Sequence, residues 1–188
     1  MAYLCIRNEG EIDVAALMLL GATDKEGSNK IGFFGSGNKY AIATLLRNSC
    51  ELRIFSGKKE FPITTKEVLF RDEAYKQIVI DGKETSITTR MGPAWEVWMA
   101  IRELYCNAVD EGLLYFDTVE ELQGTIDGET AVYVSITDEV KDFVDNIENY
   151  INQQKPLDSL QTAYGQVDIL NNQKGVYYRK NIRASNDE

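Results

Sequence analysis

The chain has 188 residues, 44% of them hydrophobic and 27% charged, which favours one domain with a sizeable core. Twenty Lys and Arg against thirty Asp and Glu leave a net charge of −10, which argues against general nucleic-acid binding or adhesion to anionic lipid. Histidine is absent, and with it go Ser-His-Asp catalysis, Cys-His catalysis and imidazole metal ligation.

Cys5, Cys50 and Cys106 are far apart and form no CxxC pair. They read as reduced, buried thiols of a cytoplasmic protein rather than as a disulfide framework or a zinc site. The N-terminus lacks the basic start of a signal peptide, and the longest apolar run, Val14 to Ala22, is too short to cross a bilayer. A soluble protein with no membrane partner is expected.

In chain order, Tyr3 to Arg7 reads as a short strand entering the turn Asn8-Glu9-Gly10. Asp13 can cap a helix over Val14 to Leu20, and Gly21 suits its stop. Residues Ala22 to Lys30 are small and polar and read as a loop. The glycine-rich turn Ile31-Gly32-Phe33-Phe34-Gly35-Ser36-Gly37 then runs into a helix from Asn38 to Arg47.

From Cys50 to Thr89 the pattern is one of strands. Cys50, Leu52 and Ile54 alternate with polar residues, and Ser56 to Lys59 make a turn. Val68 to Phe70 and Tyr75 to Ile80 follow as strands, and Asp81-Gly82 signals a hairpin into Thr85 to Thr89. Met91-Gly92-Pro93 breaks the run before a long helix, Ala94 to Leu113. After a loop come a strand at Ala131 to Thr137 and an amphipathic helix at Asp138 to Gln154. Two last strands are expected at Gln166 to Leu170 and Gly175 to Arg179, ahead of a polar tail. The fold class is α+β: a two-layer sandwich with a mixed, mostly antiparallel sheet and helices on one face.

Two places can carry chemistry. At the glycine turn, Gly32, Gly35 and Gly37 let the backbone approach a ligand, and the following helix offers free N–H groups suited to phosphate. Lys39 adds a cation. A Walker loop fails, because Asn38 separates Gly37 from Lys39; a Rossmann fingerprint fails for want of a parallel strand and of a small residue at Tyr40. The plain alternative is a tight turn whose glycines serve packing alone.

The second place is the helix Trp95 to Gly112. At about 100° per residue, Glu103, Asn107 and Asp110 fall within roughly 60° of one another. Apolar residues occupy most of the remaining circumference, so this acid, amide and acid are expected to face a partly enclosed site. A carboxylate and an amide one turn apart can serve a hydrated magnesium ion and an attacking water. The alternative is a solvated stripe on a surface helix. The preceding polar loop, with Thr23, Lys25 and Lys30, reads either as solvated or as a lid over phosphates.

Together these pieces resemble the Bergerat-fold (GHKL) ATPases: gyrase, mismatch-repair MutL proteins, the ninety-kilodalton heat-shock chaperones and histidine kinases. Their N-box, Glu-xxx-Asn-Ala-x-Asp, is matched by Glu103-Leu104-Tyr105-Cys106-Asn107-Ala108-Val109-Asp110. Their glycine boxes and lid are matched in succession by RNEGEID, LLGATDKEG and IGFFGSGNKYAIA, within residues 7 to 43. Stand-alone ATP-binding proteins of bacteria and phages carry a similar IGFFGSG-x-KYAIA stretch. The family places the N-box first; here it comes second, as circular permutation would produce. Asn8 stands for the family's adenine-binding aspartate, and Ile12 for its second glycine.

The resemblance implies ATP and Mg2+ as cofactors and water attack on the γ-phosphate, with Glu103 as general base and Asn107 as metal ligand. It implies that the backbone of Gly35, Ser36, Gly37, Asn38 and Lys39 holds phosphates, and that Lys39 or lid Lys25 offsets charge. Asn8 and Gly10 would meet the base, with Asp110 supporting that end. An asparagine oxygen accepts from adenine, whereas its amide suits a keto base, so ATP and GTP both stay open. Hydrolysis is expected to be slow and to act as a conformational switch. The alternative is a non-catalytic nucleotide sensor, or an acidic interaction module that uses a degenerate scaffold. Partners are then a nucleotide and either a nucleotide-dependent second copy or another protein. One domain, 1–188, would hold glycine boxes and lid at 7–47, strands at 50–89, the N-box helix at 94–113 and strand-helix-strands at 131–183.

Overall fold

Leu4 and Ile6 point to one face of β1 (Tyr3–Glu9), Tyr3 and Cys5 to the other, and all four are buried. A strand buried on both faces belongs inside a layered structure. In the computed structural model, which describes residues 2–18, 36–152, 154–163, 165–171, 176–179 and 182–186, β1 occupies such a place. The chain divides into two compact units, residues 1–142 and 143–188.

In the first unit, α1 (Val14–Met18) and α2 (Gly37–Arg47) precede β2 (Leu52–Ser56), β3 (Lys59–Phe70), β4 (Glu73–Ile80) and β5 (Lys83–Thr88). Then come α3 (Val97–Asp110), β6 (Leu113–Val119), β7 (Glu129–Ser135) and the start of α4 (Asp138–Asp145). The seven strands form one sheet in the order β5-β4-β3-β2-β7-β1-β6. Every pairing in it is antiparallel, so the expected α+β sandwich is present without the mixed character.

Strand register explains the layers. Ile54, Val132, Ile6 and Phe116 lie side by side across β2, β7, β1 and β6. On that face Tyr105 of α3 meets Phe116 edge-on, with ring centroids 5.0 Å apart, and α2 packs beside α3. On the opposite face Tyr3, Cys5, Ala131 and Tyr133 form a buried cluster against Phe55, Val119 and Leu122. The Tyr133 hydroxyl donates to the Gln123 carbonyl, pinning the β6–β7 connection over this cluster.

Several element bounds differ from expectation. The helix expected from Ala94 begins at Val97, because Gly92 (φ +61°) and Pro93 form a turn and Glu96 is an extended N-cap. It stops before Leu113, because Gly112 takes a left-handed φ of +87° and releases the chain into β6. The stretch taken for a loop after it is therefore an edge strand, with Leu114 and Tyr115 exposed. The expected turn at Ser56 to Lys59 is present, but β3 beyond it is a twelve-residue strand rather than a short one at Val68 to Phe70. Only Ile63 in it is buried, so pairing with β4 rather than hydrophobic alternation holds it extended. The expected Asp81-Gly82 hairpin is present, with φ +50° and +73° at its two residues.

The helix expected over Asp138 to Gln154 ends at Asp145 and gives way to a single 3-10 turn, Ile147–Asn149. Asn146 and Asn149 are weak helix formers whose short amides compete with the backbone ladder.

In the second unit, Phe143 stacks on Tyr150 with centroids 4.8 Å apart, and Ile151 bridges to Ile182. Two hairpins follow: β8 (Asp158–Thr162) with β9 (Gly165–Ile169), and β10 (Val176–Arg179) with β11 (Ile182–Asn186). The strands β8 and β11 were not expected. β8 has a single apolar residue, Leu160, and β11 lies in the stretch read as a tail. Among the described residues, no helix is long and apolar enough to cross a membrane.

Candidate functional site

The first turn of α2 and the middle of α3 meet side by side. Ser36 is the N-cap of α2, and its carbonyl accepts from Lys39 N at 3.0 Å and Tyr40 N at 3.1 Å. That leaves the amides of Gly37 and Asn38 ahead of the helix ladder. Opposite them stands Glu103, so close that a Cβ on Gly37 would lie 1.8 Å from Glu103 Oε1. Only glycine leaves room for the carboxylate there.

One turn further along α3, Asn107 Nδ2 donates to Asn38 Oδ1 at 2.9 Å, to the Glu103 carbonyl at 3.0 Å and to Glu103 Oε1 at 3.1 Å. Gly37, Asn38, Glu103 and Asn107, read separately from two distant stretches of sequence, thus form one cluster. Glu103, Asn107 and Asp110 are each half-buried. Apolar residues flank the stripe: Ala100, Leu104, Cys106 and Ala108 are buried.

Asp110 lies about 10 Å beyond Glu103 along the helix axis. There α3 meets the end of β1, where Glu9 N donates to the Gly112 carbonyl at 3.0 Å. Asn8 shares the parity of Leu4 and Ile6, hence the helix-covered side of the sheet. Its Nδ2 donates to the Glu9 carbonyl at 2.5 Å, which leaves the side-chain oxygen outside that bond. Gly10 takes φ +80° and donates to the Gly128 carbonyl at 2.7 Å.

Lys39 is 2% exposed, and burial pulls its ammonium pKa below the ordinary lysine value. Burial, with the charge of Glu103 as a second cause, pushes the Cys106 thiol up to about 12. Cys106 is therefore a protonated spacer beside the site and not a nucleophile. Lys25, Gly32 and Gly35 lie outside the described residues.

Three features escaped the sequence. Thr130 is buried on β7, where its hydroxyl donates to the Gly10 carbonyl at 2.8 Å and accepts from Ile12 N at 2.9 Å. It holds the turn beyond Asn8, and nothing in its β-branched strand announced that role. Arg47, at the end of α2, donates to the carbonyls of Thr89, Met91, Gly92 and Trp95 at 2.7 to 3.2 Å. It fastens α2 to the segment that launches α3. The third is the Asn38 side chain, read only for its backbone.

Among the described residues, no group of three or more Asp, Glu, His or Cys could cage a metal ion. The hard oxygen donors of the cluster are the Glu103 carboxylate and the amide oxygen of Asn107, whose nitrogen is the atom turned toward Glu103. Such a set suits Mg2+, which takes one or two protein ligands and completes its shell with phosphate and water. No family model matches the chain, and no curated protein or solved structure matches it either.

Proposed function

We propose that the first unit is a nucleotide-binding domain of the GHKL type that hydrolyses ATP slowly with magnesium and uses the cycle as a conformational switch. One observation carries the reading: the start of α2 and the N-box-like helix, separated in sequence, meet with Glu103 against Gly37 and Asn107 bonded to Asn38. A chance likeness in either motif gives no reason for the two to touch.

In this reading the phosphates lie against the amides at the start of α2, where free N–H groups and the helix dipole favour an anion. Asn107 would hold the magnesium ion, which neutralises phosphate charge when bound. Glu103 orients the attacking water and takes its proton. Lys39 or Lys25 would offset charge at the phosphates, while Asn8, Gly10 and Asp110 would line the end that receives the base. Cytoplasmic residence fits the three free, buried cysteines.

A second reading, an acidic interaction module, is favoured by the β3–β4 tip, where Leu69 and Phe70 are 79% and 60% exposed. The Glu103→Ala variant tests the first. It is expected to bind ATP with magnesium as wild type does and to lose hydrolysis by about 10²-fold or more. Normal hydrolysis in that variant removes Glu103 from the mechanism. No nucleotide binding by wild type, measured by calorimetry, favours the second reading.

A further inference from the structure

The Asn107 side chain has a determined orientation. Its terminal atom meets the Glu103 backbone carbonyl at 3.0 Å and Glu103 Oε1 at 3.1 Å. A carbonyl and a carboxylate only accept, so the atom facing them is the nitrogen. Asn107 Oδ1 is consequently turned the other way. The same logic fixes Asn38: the atom that receives Asn107 Nδ2 at 2.9 Å has to be its oxygen.

The two asparagines belong to different helices, 69 positions apart, and Asn38 stands second in α2 beside Gly37. The Asn38 bond therefore does what the two Glu103 contacts cannot, since those lie within one turn of α3. It ties the Asn107 amide to the start of α2.

We propose that Asn38 is a positioning residue for the magnesium site, its Oδ1 holding the Asn107 amide so that Asn107 Oδ1 faces the cation. This inference rests on the nucleotide-site reading above. A residue that orients a metal ligand from behind typically changes metal affinity by about 10- to 100-fold when lost. The phosphate contact assigned to Asn38 is its backbone N–H, which every side-chain variant keeps, so the magnesium dependence of binding is what reports on the side chain.

The test uses the full chain as wild type, Asn38→Ala, Asn38→Leu and Asn38→Asp. Affinity for a non-hydrolysable ATP analogue is measured by calorimetry with magnesium and with EDTA. The nitrogen-15 side-chain signal of Asn107, assigned by its loss in Asn107→Ala, is followed in the nucleotide-free protein. The wild type is expected to bind more tightly with magnesium. In Asn38→Ala and Asn38→Leu that magnesium advantage, the ratio of affinity with magnesium to affinity in EDTA, should fall about tenfold or more. The Asn107 amide signal should move in both variants and hold its place in Asn38→Asp, which keeps an oxygen acceptor. An unchanged magnesium advantage in Asn38→Ala or Asn38→Leu overturns the proposal, whatever their melting temperatures. A wild type with no magnesium advantage sinks the nucleotide-site reading itself, which is a separate and recognisable result.

Discussion

The Glu103 carboxylate occupies the space that any side chain at position 37 would need. A Cβ built there falls 1.8 Å from Oε1 and 2.3 Å from Cδ. The obstructing atoms are mostly the far end of a flexible side chain, so Gly37→Ala can fold by swinging Glu103 aside. Alanine also suits a helical position better than glycine by up to about 1 kcal/mol, which offsets part of the disturbance. The variant is expected to melt within a few degrees of wild type yet lose hydrolysis by about 10²-fold or more, as if Glu103 itself were gone. Full hydrolysis in a folded Gly37→Ala protein would show that the Gly37–Glu103 contact is only packing.

Arg47 predicts a loss of a different kind. Its guanidinium serves four backbone carbonyls between Thr89 and Trp95, and also reaches Thr44 Oγ1 at 3.3 Å. Hydrogen bonds from a charged donor contribute about 1.5–3 kcal/mol each, less than additively here because one side chain makes them all. Arg47→Ala is expected to cost about 2–4 kcal/mol, a fall in Tm of about 5–15 °C. Lysine has one nitrogen where five acceptors are spread, so Arg47→Lys should recover less than half of the loss. Recovery to wild-type stability, read by denaturant melts, would mean that charge and not the fork of donors matters.

The three buried thiols add to the loss of stability at alkaline pH. Burial raises each of them, Cys106 to about 12, above the unfolded value of 9.0. A thiol kept protonated by folding and ionised on unfolding contributes its stability fully below 9.0 and loses it as pH climbs toward the folded value. The slope is at most about 1.4 kcal/mol per pH unit for each thiol. Lys39 works the other way: folding lowers its pKa, so its penalty is largest at lower pH and gone by 10.5. Denaturant midpoints at pH 8 and pH 10.5 should therefore fall less in Cys106→Ala than in wild type. Equal falls would remove Cys106 from the account. In the native protein at pH 8 no thiol should react with an aromatic disulfide reagent, and all three should react after unfolding.

What was legible in the sequence, and what was not, follows from how far each residue reaches. Glu103, Asn107 and Asp110 declare themselves because helical spacing puts them on one stripe among apolar neighbours. Gly37 declares itself by sitting in a glycine turn ahead of a helix. Arg47 does not, because its partners are main-chain carbonyls, which every sequence supplies and none marks. Thr130 does not, because its meaning lies in Gly10, which its hydroxyl meets across 120 positions. The edge strand β6 and the ribbon β3 escape for a related reason. They are held by pairing with β1 and β4 and bury little, so hydrophobic alternation, the usual mark of a strand, is weak in both.

If the proposed nucleotide site is right, Asn8 bears on the choice of base, which its residue type alone left open between adenine and guanine. The amide nitrogen gives one of its two hydrogens to the Glu9 carbonyl, which fixes the flip of the side chain and turns its oxygen to the opposite side. An acceptor there matches the amino group of adenine and repels the keto oxygen of guanine. With magnesium present, ATP at a hundredfold above its Kd should stabilise the fold by about 2.7 kcal/mol, a shift of about 5–10 °C. GTP at the same concentration should shift it far less. Asn8→Asp, which keeps an oxygen and drops the amide, should leave the ATP shift within about 2 °C of wild type, whereas Asn8→Leu should remove most of it. A GTP shift equal to or larger than that for ATP would mean that the Asn8 amide turns over on binding and that its bond to Glu9 does not govern the choice of base.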